Sequence, residues 1–415
     1  MEIRQYIAKK KEIQEFLLNY IDDGNDDDYK NLIKLLNETK ITEKRYEMKS
    51  FLLLLNIIIR NHHRSAGFFE KIEKILTNYI RYIKQNFTSS EIFGLFASNQ
   101  RILYFLLQQD LISADNLLKL NNDFLVYFYP EIKDKIDKKL LKKITENRQE
   151  IFDNFNEEEF NKRRQVGENH NYLCKLIRED AIVDFITYVN QTNWPLTGQI
   201  KESLFETNIF FYESYRNFFY SDDQPTLLEY AFFFGSVNIV KYLTINGAKL
   251  TYTLWPYAIH SNNAELIHLL EENHIVPSDS FFLTREKRFI PEMVEKGKTH
   301  KLLKQSVWEY RTFKTSLIQS IQCHHLNIYN YIKENSPEMQ PEDDPVDDYY
   351  SSQFVTDSNT DVTFSIFLYF NYLCFPDDID DKMLFFYACK YDYPSIVEFF
   401  LKKGNIDINM TIILN

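Results

Sequence analysis

The stretch Thr226 to Leu250, TLLEYAFFFGSVNIVKYLTINGAKL, decides how the rest of the chain is read. It reads as two short helices with a turn between them. Thr226 suits a helix start, because its hydroxyl accepts from the free N–H groups of a first turn. Ala231 is small enough to let a neighbouring helix approach closely. Gly235 permits a left-handed turn between the helices. Ile239, Val240 and Leu243 form an apolar stripe at helical spacing. Gly247 ends the second helix, and Ala248 to Tyr252 form a connecting finger.

The pattern recurs. In TLWPYAIHSNNAELIHLLEENHI, Thr253 to Ile275, Ala258 replaces Ala231 and Asn262 replaces Gly235. Asn is the best substitute for Gly where a left-handed conformation is needed. Leu266, Ile267 and Leu270 restore the apolar stripe. A third copy runs from Ser316 to Ser336, with Leu317, Ser320, Ile328 and Ile332 in place. A fourth runs from Leu384 to Gly404, with Ala388, Cys389, Ile396, Val397 and Phe400, and Ile406 to Asn409 open a further finger. Upstream, LCKLIREDAIVDFITYVN, Leu173 to Asn190, reads as an earlier helix pair turning at Asp180. Ile200 to Phe210 is expected to be a helix after Pro195. Pro277 to Lys314 reads as a degenerate unit with an insertion.

These strings follow the ankyrin pattern T-P-L-H-x-A-A-x-x-G-x-x-x-I-V-x-x-L-L-x-x-G-A. The chain resembles the protist ankyrin-repeat proteins that carry a helical N-terminal region of unknown function. The phrases CKLIRED, ESLFETN (Glu202 to Asn208), TLLEYAFFFGS and LWPYAIHSNNAELIHLLEENH carry the resemblance, which extends over nearly the whole chain. It implies an all-α fold, a helical solenoid of degenerate ankyrin repeats preceded by an α-helical N-terminal array. It implies no reaction. Repeats of this kind stack into a binding surface rather than enclose a reaction site. Glu229 and Pro256 stand where the pattern has histidine, so its capping hydrogen bonds are expected to be lost there. Members of the family commonly continue with cleaner repeats, so the array is expected to be truncated or short at Asn415.

The domain plan that follows is 1–165 for the N-terminal helical region, 166–335 for degenerate repeats, 336–360 for an acidic loop and 361–415 for a further helix and repeat. The N-terminal region reads as helices at Ile3–Ile21, Tyr29–Glu38, Glu43–Asn61, Gly67–Asn86, Ser90–Phe96, Ile102–Gln108, Ala114–Leu120 and Lys133–Phe155. Thr88 to Glu91 reads as a helix start, and a turn near Asp110 joins two short helices. The simplest role for this region is to cap the array. The loop, Ser336 to Asn359, contains three prolines and many acids. It is a candidate docking segment for a basic partner.

Composition narrows the function classes. Of 415 residues, 44% are apolar, enough for a folded core, and 9 Gly and 11 Pro fit helices with compact turns. The 35 Phe and 28 Tyr accompany frequent Asn, Lys and Ile, all with A/T-rich codons, so codon bias explains them better than base stacking. A net charge of −12 disfavours nucleic acid and anionic membrane as partners. The longest apolar run, Phe51 to Ile59, is interrupted by Asn56 and far below the ~20 residues of a span. With no signal peptide at a charged start, a cytoplasmic protein is expected. Cys174, Cys323, Cys374 and Cys389 lack metal-type spacing, and Cys389 is expected to be a buried thiol.

No catalytic motif occurs, and no catalytic, cofactor or metal residue is assigned. His62-His63 and Cys323-His324-His325 are the only histidine clusters worth weighing as ligands. Adjacent residues point apart on a helix, whereas zinc takes three or four converging donors. The runs Asp26 to Asp28 and Glu157 to Glu159 likewise spread rather than converge. The expectation is a non-enzymatic scaffold with an unknown protein partner. Its contacts are assigned to Tyr230, Phe233, Phe234, Lys249, Tyr252, Tyr257, His260 and Ser261, on inner helices and finger tips. Packing against the neighbouring helix pair is the other reading of Phe233 and Phe234. The alternative function is a recognition or adaptor subunit of a modifying enzyme, or an enzyme with an unrecognised N-terminal module.

Overall fold

The computed structural model describes residues 3–65, 67–146, 148–153, 155–208, 211, 224–275, 316–335 and 381–404. The expected insertion of Pro277 to Lys314, the acidic loop and the last finger lie outside the described residues. Helices dominate, and among the described residues the only strand-like pairing is an isolated antiparallel bridge between Gln199 and Thr226. The fold is all-α. Among the described residues, no helix is long and apolar enough to cross a membrane.

Two compact units are present, one spanning Glu12–His274 and the other combining Met1–Lys11 with Ile275–Asn415. The first begins at Glu12, within α1 (Ile3–Asp22), and continues with α2 (Asp26–Glu38), α3 (Arg45–Asn61), α4 (Phe68–Asn86), α5 (Ser89–Phe96) and α6 (Gln100–Gln108). Short helices follow: α7 (Ala114–Leu117), α8 (Asn122–Tyr127), α9 (Tyr129–Ile132), α10 (Lys138–Glu146), α11 (Gln149–Phe152) and α12 (Glu157–Val166). The long helix expected over Lys133–Phe155 is therefore broken, and α8 and α9 precede it. Thr88 opens α5 with a reciprocal cap, accepting from the Glu91 N–H at 3.3 Å while Glu91 accepts from the Thr88 N–H at 2.9 Å. Leu55, Ile58, Ile72, Ile75, Leu103, Leu106 and Phe128 are fully buried at the centre of this region.

Helical hairpins continue the unit. They are α13 (Tyr172–Arg178) with α14 (Ile182–Thr192), α15 (Leu227–Phe234) with α16 (Val237–Ile245), and α17 (Trp255–Ser261) with α18 (Ala264–Glu272). The first helices pack side by side in order, α13 on α15 and α15 on α17, while each also packs on its own second helix. Residues 200–208 are not helical, which corrects the helix expected over Ile200–Phe210. Their backbone is tied elsewhere: the Ile200 N–H donates to the Pro225 carbonyl at 2.7 Å, and the Thr207 N–H to the Gly167 carbonyl at 3.1 Å. In the second unit, helical residues 316–322 pair with α19 (Leu326–Asn335), and α20 (Asp381–Lys390) pairs with α21 (Pro394–Lys403).

One turn geometry joins every hairpin. Asp180, Gly235, Asn262, His324 and Asp392 all have left-handed backbone, with φ between 47° and 70°. In four of the five, the next N–H reaches back over that residue to the first helix. Ala181 donates to the Leu176 carbonyl at 3.0 Å, Ser236 to Ala231 at 2.9 Å, His325 to Ser320 at 2.9 Å and Tyr393 to Ala388 at 2.8 Å. This closes the helix end that would otherwise leave carbonyls unmet. Successive turns also meet. Asp180 Oδ1 accepts from the Ile239 N–H at 3.0 Å, and its Oδ2 from the Asn238 N–H at 3.1 Å. His324 Nε2 lies 2.7 Å from the Tyr391 carbonyl.

Glu229 corrects a further expectation. The cap of α15 is intact, because Glu229 accepts from the Thr226 N–H at 2.9 Å and returns its own N–H to the Thr226 hydroxyl at 3.1 Å. Its other oxygen accepts from the Thr253 hydroxyl at 3.2 Å, so the side chain ties one hairpin to the next.

Candidate functional site

Helix α15 is enclosed. Every residue from Leu227 to Phe233 is buried, and all but the capping Glu229 are apolar or aromatic. Helix α16 covers one side, α13 and α17 cover two more, and rings close the fourth. Phe211 lies 4.8 Å from Tyr230, 4.7 Å from Phe233, and 6.3 Å from both Phe234 and Tyr257, measured between ring centroids. His260 stacks on Phe233 at 3.8 Å.

Tyr230, Phe233, Tyr257 and His260 consequently have no exposed surface. As the molecule stands they are packing residues, and the contact surface assigned to them is not on offer to a partner. Phe234 and Ser261 are half-buried, Lys249 is exposed, and the side chain of Tyr252 lies outside the described residues. Tyr230, Phe233, Tyr257 and His260 do not share a surface with Lys249, because they face the interior and Lys249 faces solvent.

What the structure brings together instead is a buried polar chain. His63 Nε2 lies 3.1 Å from Glu168 Oε1, and Arg178 Nε lies 2.8 Å from Glu168 Oε2. Arg178 also donates to the Tyr230 hydroxyl at 2.9 Å and to the Asn169 carbonyl at 3.0 Å. Tyr230 in turn donates to Glu206 Oε2 at 3.3 Å. Glu206 accepts further from the backbone N–H groups of Asn169 at 3.2 Å and Asn208 at 3.1 Å. The chain thus links the turn after α3, the segment before α13, the irregular residues 201–208 and α15.

The protonation states follow from burial and neighbours. Burial alone raises the Glu168 carboxyl, but the His63 hydrogen bond and the nearby His63 and Arg178 charges outweigh it and hold the group below the ordinary carboxylate range. Glu206 is pushed up by burial, against the pull of His63 and Arg178. Burial, then the adjacent Glu206, keeps the Tyr230 phenol protonated and well above its usual value. The Cys174 thiol nearby is pushed up to about 12 by burial, which makes it a poor nucleophile. Linked donors and acceptors of this kind suit a joint between elements.

Both histidine clusters have structural partners. His62 and His63 are buried in the turn between α3 and α4, and the His63 ring stacks at 5.1 Å on Phe68 and meets Phe69 at 4.6 Å. The next residue, Arg64, donates to the His260 carbonyl at 3.1 Å and to Asp22 at 2.7 Å. Cys323, His324 and His325 are buried, and the Tyr393 hydroxyl donates to the His324 carbonyl at 3.1 Å. Among the described residues, no group of three or more His, Cys, Asp or Glu side chains is placed to hold a metal ion. Cys389 is exposed, because Ala388 takes the packing position and directs the next residue outward.

Glu168, Arg178 and Glu206 carry no spacing motif, since their partners lie on separate elements. A weak signal existed in the phrases CKLIRED and ESLFETN, whose charged residues include Arg178 and Glu206. No family model matches the chain, and no curated protein or solved structure matches it either.

Proposed function

We propose that the chain is a non-enzymatic protein-binding scaffold built from degenerate ankyrin-type hairpins, of the kind found in the protist ankyrin-repeat proteins it resembles. The observation that carries this reading is the shared left-handed turn at Asp180, Gly235, Asn262, His324 and Asp392, with turn-to-turn contacts between neighbours. Stacked units of this sort act as extended surfaces. The N-terminal helices are built into the same compact unit as the first hairpins, so they act as part of the scaffold.

Partner contacts are assigned to the exposed positions of the hairpins. These are Lys249, with Val183 and Ile245 on the second helices, which are 74% and 85% exposed. The test is affinity capture from native cytosol with the full chain as bait, beside a variant carrying Val183→Asp, Ile245→Asp and Lys249→Glu. A protein retained by the parent and lost by the variant supports the reading. Failure of every bait to retain a protein overturns it.

A further inference from the structure

The inner side of the hairpins is occupied by a short element of the same chain. Residues 62–64 form a turn that presents two imidazoles and a guanidinium. The surface that receives it is rich in acceptors: the Glu168 carboxylate faces His63, and the His260 carbonyl faces Arg64. An aromatic wall accompanies them, with Phe234 6.3 Å from the His63 ring. Such a mixture of rings and acceptors is what a peptide site offers to a basic side chain.

We propose that this inner side is a binding site for a short basic peptide segment with an imidazole beside a guanidinium, and that the His62–Arg64 turn is its resident occupant. The inference rests on the scaffold reading and gives its partner a chemistry. The competing ligand is a His-Arg segment of another protein, which takes Glu168 and the His260 carbonyl when the turn swings out. The turn is short and locally anchored. Ser65 Oγ and Lys71 Nζ each donate to the Ile21 carbonyl at 3.1 Å, and Gly67, at φ 69°, supplies a left-handed pivot just before α4. Departure of these three residues gives up the bond from the His62 N–H to the Ile58 carbonyl that closes α3 and the His63 contacts with Phe68 and Phe69, and leaves the bonds inside both helices in place. A tethered occupant acts at an effective concentration on the order of millimolar, so a free peptide at micromolar concentration binds only once the occupant is disabled. The net charge of −12 favours approach of a cationic segment.

The test uses the full chain with His63→Ala and Arg64→Ala together, checked for parental helical content. The probe is a fluorescent peptide of residues 60–67, RNHHRSAG. Fluorescence anisotropy is expected to show saturable binding to the variant, at least tenfold tighter than to the parent. Binding is lost when the peptide carries alanine for its second histidine and second arginine. Equal binding to parent and variant, or none to a helical variant, overturns the proposal. Should the double variant fail to fold, Arg64→Gln replaces it.

Hydrogen exchange on the unaltered chain gives a second measurement. Amides of α15 and α17 must open together with residues 62–64 at lower free energy than global unfolding. Exchange of those helices only through global unfolding also overturns the proposal. A partner captured solely through Val183, Ile245 and Lys249 leaves the scaffold reading standing and removes this one. Absence of any partner removes both.

Discussion

The guanidinium of Arg64 donates at 3.1 Å to the backbone carbonyl of His260, a residue 196 positions further along the chain, while its other nitrogen holds Asp22 at 2.7 Å. One side chain thus ties the end of α1 to the end of α17. The pair is largely sheltered, with Arg64 9% and Asp22 27% exposed. A double-mutant cycle with Arg64→Met and Asp22→Asn is expected to give a coupling of about 1–3 kcal/mol in urea unfolding. A coupling near zero would show that the contact is incidental.

Arg164 is a costly charge to remove. It is fully buried, makes paired 2.8 Å bonds to both oxygens of Glu131, donates to the Tyr127 carbonyl at 3.0 Å and lies 4.1 Å from the centre of the Tyr104 ring. Arg164→Met leaves Glu131 without its fork of donors. The expected loss is about 3–5 kcal/mol, read from the denaturation midpoint. Removing Glu131 as well, by Glu131→Gln, is expected to cost less than the sum of the two single changes.

Acid is expected to weaken the first unit through His260. Burial, followed by the charges of Arg64 and His62, holds this imidazole well below its ordinary range, although the bond to the Phe233 carbonyl pulls the other way and His63 adds to the depression. The unfolded chain takes up a proton near pH 6.5, which the folded chain refuses until lower pH. The stabilisation is therefore present above about pH 6.5 and is lost as pH falls below it, by up to about 1.4 kcal/mol per pH unit. Melting temperatures between pH 7.5 and 5.5 should show this slope, and His260→Phe should flatten it. An unchanged slope in that variant would assign the acid sensitivity elsewhere.

The left-handed turns separate backbone strain from side-chain bonding. Gly235→Ala places a Cβ at φ 70°, where its nearest neighbour is an ordinary 3.6 Å from Ser261, so the cost is the backbone term of about 1–2 kcal/mol. Asn262→Gly relieves such strain at an exposed residue and is expected to change stability by less than about 1 kcal/mol. Asp180→Gly relieves the same strain but removes the cap on α16, for a net loss of about 1 kcal/mol. Thermal melts of the three variants give the order; an Asp180→Gly variant as stable as its parent would discount the cap.

The hairpins were legible because their signals are local. Ala231, Gly235 and the Ile239 to Leu243 stripe each answer to a neighbour within one turn, and Asn262 and Asp180 announce the same left-handed backbone. The joint was not legible. His63 and Glu168 are 105 residues apart, and nothing around either marks the other. Aromatic residues on an inner helix read alike whether a partner or the chain itself covers them, so Tyr230, Phe233, Tyr257 and His260 were assigned to a surface that Phe211 and the 62–64 turn already fill. The irregular course of residues 200–208 was hidden for a related reason. Its apolar periodicity suits a helix, but its backbone groups are taken by Pro225 and Gly167.

Asp180 and Ser236 make the first joint of the array reciprocal. The Asp180 carboxylate completes the start of α16 in the following hairpin, and the Ser236 hydroxyl of that hairpin donates to the Ile177 carbonyl at the end of α13. Each helix end is finished by a group from the other hairpin. A nascent chain leaving the ribosome therefore carries α13 with one carbonyl waiting until Ser236 emerges, and the two hairpins mature as a single step.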